Sequence, residues 1–80
     1  MNRVRIKYYA LLREEAGRSD ESVDSAAHTA ADLYDELRGR YAFRLPRAQL
    51  RVAVNGEFAD WGRTLAEDDE VVFIPPVAGG

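Results

Sequence analysis

The 80-residue sequence contains no cysteine. Disulfide bonds, thiolate metal sites and nucleophilic thiols are therefore excluded. Any sulfur chemistry would have to use sulfur held somewhere other than a cysteine side chain. The single histidine, His28, stands apart from any cluster of ligands or nucleophiles, and we expect a solvated side chain there and no metal site.

Long apolar runs and basic runs are also missing. No apolar stretch approaches the ~18 residues of a membrane span, and the N-terminus alternates charged and apolar residues instead of forming a signal-peptide core. We therefore expect a cytoplasmic protein without a membrane partner. Eleven basic residues against 14 acidic ones give a net charge of -3, so a nucleic-acid partner is not expected.

The composition is that of one folded unit. Hydrophobic residues make up 46% of the chain and charged residues 31%, a balance typical of globular domains and not of disordered segments. A chain of this length holds a single core. We predict one domain over residues 1–80, with a flexible C-terminal tail at 75–80.

Alternation and helix signals predict the first half of the chain. Val4, Ile6 and Tyr8 alternate with polar residues, which predicts a first strand, and the segment ALLREEAG predicts a short helix stopped by Gly17. A return strand is predicted over 21–25. A helix with Thr29 as N-cap follows, which we expect to end near Gly39. Its predicted apolar face consists of Ala30, Leu33, Tyr34, Leu37 and Tyr41.

The second half of the sequence has the patterns of three strands. LRVAVNGEFAD alternates around Asn55-Gly56, the favoured pair for a two-residue hairpin turn, and EVVFI predicts a last strand. We expect Trp61 to cover the edge of the core and the acids at 67–70 to be solvated. The element order predicts an α+β fold of the β-grasp (ubiquitin-like) type, a mixed sheet of about five strands covered by one main helix plus a short helix after strand one.

The ending PPVAGG suggests chemistry at the carboxyl end. Pro75 and Pro76 lack the N–H that a strand ladder needs, so they stop the last strand and direct the chain outward. Small residues follow, and glycine has no side chain to obstruct a narrow channel. The segment that consists of Pro75, Pro76, Val77, Ala78, Gly79 and Gly80 is therefore predicted to fit a channel too narrow for larger side chains.

Three stretches resemble a known family. IKYYALLREEAG, VAVNGEF and above all DDEVVFIPPVAGG are similar to the MoaD-type small subunits of molybdopterin synthase, within the MoaD and ThiS family of ubiquitin-like sulfur carriers. The resemblance runs almost end to end. Asp68 departs from it, because the family usually has glycine there; aspartate tolerates the left-handed conformation better than most residues.

The resemblance implies a carrier that is not itself a catalyst. An E1-like adenylyltransferase of the MoeB type would use ATP to adenylate Gly80, and a sulfur donor protein would convert the terminus into a thiocarboxylate. The segment 75–80 would insert into the active site of the large subunit, of the MoaE type, which would take sulfur from it to build the dithiolene of molybdopterin. The complex would be a heterotetramer of two small and two large subunits. No permanently bound cofactor is implied.

Partner docking is predicted on the outer face of the sheet. Strand phase places Tyr9, Phe58, Val72 and Ile74 there, beside the tail, and exposed apolar surface often marks an interface. Three alternatives stay open: a sulfur carrier of a thiamine or cysteine pathway, a ubiquitin-like protein modifier, and an interaction domain with an inert tail.

Overall fold

A computed structural model describes residues 1–76 of the chain. The elements are β1 Asn2–Tyr8, α1 Ala10–Ala16, β2 Asp20–Ser25, α2 Ala30–Tyr41, a 3-10 helix Arg47–Gln49, β3 Arg51–Val54, β4 Glu57–Ala59 and β5 Glu70–Ile74. The strands form one five-stranded sheet in the order β2-β1-β5-β3-β4, in which β1 and β5 run parallel and the other neighbours antiparallel. This is the predicted β-grasp arrangement.

The core lies between α2 and one face of the sheet. Alternate residues of the two central strands point into it, as the period of two in a strand requires. Ile6 pairs with Val71, and Tyr8 pairs with Phe73; all four side chains are buried. The helix contributes the predicted face, of which Tyr41 alone is only partly buried. The fully buried members are Ala30, Leu33, Tyr34 and Leu37.

The N-cap of α2 agrees with the prediction, but its C-terminal end does not. The hydroxyl of Thr29 accepts a hydrogen bond from the backbone N–H of Asp32 at 3.2 Å. The helix passes through Gly39 and ends at Tyr41, where Ala42 takes the left-handed conformation at φ 56°. Two contacts hold the last turn: the Tyr41 hydroxyl donates to Glu21 at 2.7 Å, and the Tyr41 ring packs on Phe43 at 5.5 Å.

The hairpin between β3 and β4 is confirmed. Asn55 and Gly56 both have positive φ, 53° and 85°, as a type I′ turn requires. Val54 pairs with Glu57, and Ala53 pairs with Phe58. Because alternate side chains share a face, this register places Phe58 on the same face as Ala53, away from the core.

The prediction of a solvated acidic turn is wrong for one residue, Asp69, which is only 7% exposed. Its carboxylate accepts hydrogen bonds from the Asn55 side-chain amide at 2.9 Å and from the Ala66 N–H at 2.8 Å. The Asn55 side-chain oxygen in turn accepts from the Glu70 N–H at 2.9 Å. Asp68 adopts φ 67°, the left-handed conformation that its position in the family pattern suggested.

Replacing Asp69 with alanine is expected to lower the free energy of unfolding by about 1–3 kcal/mol, because the Asn55 amide and the Ala66 N–H lose their acceptor. Urea denaturation measures the change. Asp20→Ala is the matched control, because Asp20 is exposed on β2 and its loss should change the unfolding free energy by less than about 0.5 kcal/mol. Equal effects of the two substitutions would contradict a structural role for the buried carboxylate.

Candidate functional site at the root of the C-terminal segment

The described part of the C-terminal segment begins at the end of a central strand. β5 is hydrogen-bonded to β1 on one side and to β3 on the other. Pro75 and Pro76 follow Ile74 outside any strand, the first half-buried and the second exposed. The segment therefore starts from the interior of a five-stranded sheet, which fixes its origin more firmly than an edge strand would.

An apolar strip, Val72, Ile74, Ala53 and Phe58, lies on the outer face of the sheet beside this exit. Val72 pairs with Ala53, and Ala53 pairs with Phe58, so the three side chains adjoin across strands. Phe58 is 62% exposed, and the other three are half-buried. An exposed phenylalanine at the end of an apolar strip is the kind of anchor that buries well in a partner's pocket.

A groove of about 370 Å³ connects the apolar strip to the root of the segment. Apolar groups supply most of its surface, and Gln49 and Arg51 bring polar groups to the rim. This composition suits an apolar side chain of a partner, held in position by a few polar contacts. Its lining consists of Gln49, Arg51, Phe58, Ile74, Pro75 and Pro76.

Tyr9 stands apart from that groove. It is 49% exposed and is the N-cap residue of α1, and it is not among the described residues that line the groove. Because Tyr8 pairs with Phe73 in the parallel ladder, Tyr9 and Ile74 both follow at the same end of the sheet. The structure thus brings together Phe58, Val72 and Ile74 and places Tyr9 at the same sheet end, outside the groove.

Arg51 is a site residue that the sequence prediction missed. Its guanidinium lies 3.9 Å from the centroid of the Phe58 ring, a cation–π contact that orients the ring and the charge together. The hairpin register contained the signal. Ala53 pairs with Phe58, so Arg51, two residues earlier on β3, shares the outer face and is a diagonal neighbour of the ring.

Charged pairs occupy the other half of the outer face. Glu70 lies 3.9 Å from both Arg5 and Lys7, and Arg3 pairs with Asp24 at 3.2 Å. The apolar strip on β3, β4 and β5 therefore adjoins an ionic region on β1 and β2. Exposed pairs of this kind add little stability, but they give the face a defined charge pattern next to its apolar half.

Aromatic side chains pack against the carboxyl end of β5 on the core side of the sheet. Phe73, the last buried residue of β5, contacts Tyr34 at 5.1 Å between ring centroids and stacks on Trp61 at 6.0 Å. Trp61 is partly buried against the core, which confirms that it covers the core edge. The end of β5 is consequently held on a rigid aromatic base.

Within residues 1–76, no group of three or more His, Cys, Asp or Glu side chains is arranged to hold a metal ion. Over the same described residues, neither helix combines the length and the apolar character needed to cross a membrane.

Comparison with known proteins places the chain in a family. A family model described as the ThiS family matches residues 6–80. The chain belongs to the ThiS family. The match includes both the outer-face residues and the final glycines, so the family assignment covers the whole candidate site.

Curated relatives of this ThiS-family chain carry one functional name. The "Molybdopterin synthase sulfur carrier subunit" of Mycobacterium tuberculosis is 33% identical over 84 residues, covering 100% of both chains. The protein of the same name from Escherichia coli is 30% identical over 80 residues, covering 96% of this chain and 99% of its own. The similarity is therefore full-length and not confined to one motif.

Solved structures share the fold. The small archaeal modifier protein 1 of Haloferax volcanii matches with a TM-score of 0.81 and 29% identity, covering 96% of this chain and 100% of its own. A chain in the complex of subunits 1 and 2 of the molybdopterin-converting factor from Helicobacter pylori matches with a TM-score of 0.69 and 18% identity, covering 98% and 99%. At that identity the second match concerns the fold alone.

The remaining predicted site residues lie outside the described residues. These are Val77, Ala78, Gly79 and Gly80. Their insertion into a partner, and the interface roles of Tyr9, Phe58, Val72 and Ile74, stay predictions.

Two tyrosine hydroxyls and one carboxylate form a hydrogen-bond network at the edge of the core of the ThiS-family chain, beside β1 and β2. One carboxylate oxygen of Glu21 accepts hydrogen bonds from the hydroxyls of Tyr8 at 2.6 Å and Tyr41 at 2.7 Å; the Glu21 side chain is 8% exposed. Burial, reinforced by the bond to Glu21, raises the pKa of both phenols, and burial raises the pKa of Tyr34.

These shifts predict how stability depends on alkaline pH. Because the folded-state pKa values exceed the unfolded value of about 10, the native state binds phenolic protons more tightly than the unfolded state. The stabilisation is therefore complete below pH of about 10 and is lost as pH rises above it. Unfolding free energies measured by urea denaturation at a series of alkaline pH values should fall, and Tyr8→Phe should reduce the slope. An unchanged slope in that variant would contradict the role of Tyr8.

Proposed function

We propose that this chain is the sulfur carrier subunit of a molybdopterin synthase. The observation that carries the proposal is its full-length similarity to curated relatives with that name, together with a family match that includes Gly79 and Gly80. The exit of the C-terminal segment from a central strand beside an exposed apolar strip supports it. A carrier needs both a reactive end and a docking surface next to that end.

The chemistry is proposed to occur at Gly80. A carboxylate oxygen of Gly80 attacks the α-phosphorus of ATP, pyrophosphate leaves, and an acyl-adenylate forms. A hydrosulfide equivalent from a sulfur donor protein then displaces AMP, which leaves a thiocarboxylate. Glycine favours the second displacement, because no side chain shields the carbonyl carbon that the sulfur attacks. The activating enzyme supplies the catalytic groups and the ATP site, so the carrier itself needs neither.

Sulfur transfer is proposed to take place in the active site of the large subunit. The thiocarboxylate sulfur displaces an oxygen substituent from a carbon of the pterin precursor and forms a thioester. Water then hydrolyses the thioester, which leaves the sulfur on the pterin as a thiolate and returns the carboxylate of Gly80 for another cycle. The absence of cysteine fits this chemistry, because the chain has no thiol that could compete for activated sulfur. The carrier acts as a sulfur-donating, non-catalytic subunit.

Docking is proposed to use the apolar strip and Tyr9. Phe58 is the largest exposed side chain of the strip, and Ile74 connects the strip to Pro75 in the apolar groove. A partner that covers these residues necessarily lies beside the exit of the C-terminal segment. The large subunit and the activating enzyme both have to receive the same segment, so they are proposed to use this face in turn; the complex with the large subunit is proposed to be a heterotetramer of two small and two large subunits.

A ubiquitin-like protein modifier is the second candidate function. The structural match to a small archaeal modifier protein, at a TM-score of 0.81 and 29% identity, favours considering it. A modifier would use the same adenylate but would join Gly80 to a lysine amine. A sulfur carrier for thiamine or cysteine synthesis would share the thiocarboxylate and differ only in the acceptor.

The modification of Gly80 is tested by intact-mass measurement of untagged protein incubated with the activating enzyme, ATP and sulfur donor. We expect a species heavier by the exchange of one oxygen for one sulfur, with fragmentation locating the change on Gly80. A chain truncated before Gly80 is the control, and it should fold normally yet remain unmodified. An unmodified full-length chain would contradict the carrier proposal, and conjugates to lysine without a sulfur product would favour the modifier.

The docking face is tested by replacing Tyr9 and Ile74 with aspartate. Each substitution places an unpaired carboxylate in the proposed apolar contact, so binding to the large subunit should weaken by about 2–5 kcal/mol. Isothermal titration calorimetry measures the affinity, and circular dichroism checks the fold. Gly39→Asp adds the same charge on α2, where an added side chain meets nothing within 4 Å, and should bind normally. Unchanged affinity in the Ile74 variant would overturn the proposed face.

A further inference from the structure

A second groove adjoins the apolar one and shares Arg51 and Phe58 with it. It is wide and open, with a volume of about 630 Å³, and polar groups dominate its surface. It runs between the β3–β4 hairpin and the loop that follows β4. Its lining consists of Arg51, Phe58, Ala59, Asp60, Gly62 and Arg63.

The two arginines of this groove have no carboxylate partner within the described part of the chain. No carboxylate of residues 1–76 lies within 4.0 Å of the Arg51 or Arg63 guanidinium. Most of the other arginines are engaged, either with a carboxylate or, for Arg38, with the carbonyl of Phe43. The arginines paired with a carboxylate are Arg3, Arg5, Arg18, Arg40, Arg44 and Arg47.

The geometry leaves Arg51 ready to bind an anion. Its guanidinium lies over the Phe58 ring at 3.9 Å, and a stacked guanidinium keeps its in-plane N–H donors free for a carboxylate. The aromatic contact also restricts the side chain, which lowers the entropy lost when a partner binds. Arg51 therefore combines a fixed position with unused hydrogen-bond donors.

The loop after β4 fixes the position of Arg63 on the other side of the groove. Its backbone N–H donates to the carbonyl of Asp60 at 2.9 Å, and Ala30 donates to the Arg63 carbonyl at 3.1 Å. The loop thus has one hydrogen bond within itself and one to the first residue of α2. Asp60 is the one acid in the described lining, so two cations face one anion.

We propose that this groove docks an acidic peptide segment of the protein that receives the C-terminal segment, with Arg51 and Arg63 binding its carboxylates. The proposal rests on the proposed carrier function. Two observations select the occupant. The groove carries a local positive charge, whereas the whole chain has a net charge of -3. An acidic segment is therefore attracted to this groove, while the chain as a whole repels it. Arg51 and Phe58 also line the apolar groove, so the acidic segment would adjoin the main docking face.

The groove is tested directly by NMR titration of the 15N-labelled chain with an acetylated hexaglutamate peptide at low salt. We expect the largest amide shifts at Phe58, Ala59, Gly62 and Arg63, with a dissociation constant of about 1 mM or tighter, and loss of binding at high salt. Shifts centred elsewhere, or no saturable shifts, would overturn the proposal. This measurement does not depend on which pathway the carrier serves.

The role in partner binding is tested with the double variant Arg51→Gln/Arg63→Gln. Its affinity for the large subunit should fall about three- to tenfold at low salt, and the difference from the unmodified sequence should shrink as salt increases. Arg13→Gln is the matched control, because Arg13 on α1 also has no carboxylate within 4.0 Å among residues 1–76, and its affinity should stay unchanged.

The outcomes separate the groove from the carrier function. If the double variant and Arg13→Gln bind the large subunit as tightly as the unmodified sequence, the groove proposal fails and the carrier proposal stands. If the unmodified sequence does not bind the large subunit at all, the carrier proposal fails, and the peptide titration decides whether the groove is an acidic-peptide site.

Discussion

The parallel pairing of β1 with β5 is the constraint on which the rest of the structure depends. It joins the two ends of the described chain at the centre of the sheet, with Ile6 beside Val71 and Tyr8 beside Phe73. Every other strand is then added outside this pair, β2 on one side and the β3–β4 hairpin on the other. Parallel neighbours require a crossover connection, and α2 lies within it. The same pairing that completes the core therefore determines where the C-terminal segment starts.

The two faces of the sheet at this central pair differ in composition and in role. Inward residues build a continuous aromatic layer in which Phe73 contacts Tyr34 and Trp61. Outward residues have a different composition, apolar towards β4 and ionic towards β2. Stability is thus concentrated on one face, which leaves the other free to vary in charge and shape for partner recognition. The proposed carrier function would require this division, because a chain that docks on more than one partner needs a stable core and a recognition face that are independent of each other.

The sequence predicted the elements whose signals are local. Alternation marked β1 and the β3–β4 hairpin, and Asn55-Gly56 marked a turn in which both residues need positive φ. It failed where distant contacts decide the outcome. Gly39 is a strong local stop, yet Tyr41 extends the helix because Glu21 and Phe43 bind its side chain. Asp69 looked solvated because its partner Asn55 is 14 residues away in the chain. The hairpin register predicts the Arg51–Phe58 contact, but a single arginine among ten does not by itself indicate a site.

The interior position of β5 also has a mechanical consequence. A pull on the C-terminal segment loads β5 along its length, so the hydrogen bonds to β1 and β3 share the force instead of opening one at a time. Two prolines follow this strand directly, so the load passes to the sheet through backbone that cannot itself join the ladder. A strand held in this way resists being peeled from the sheet when its carboxyl end is pulled, and the folded body keeps its shape under repeated loading.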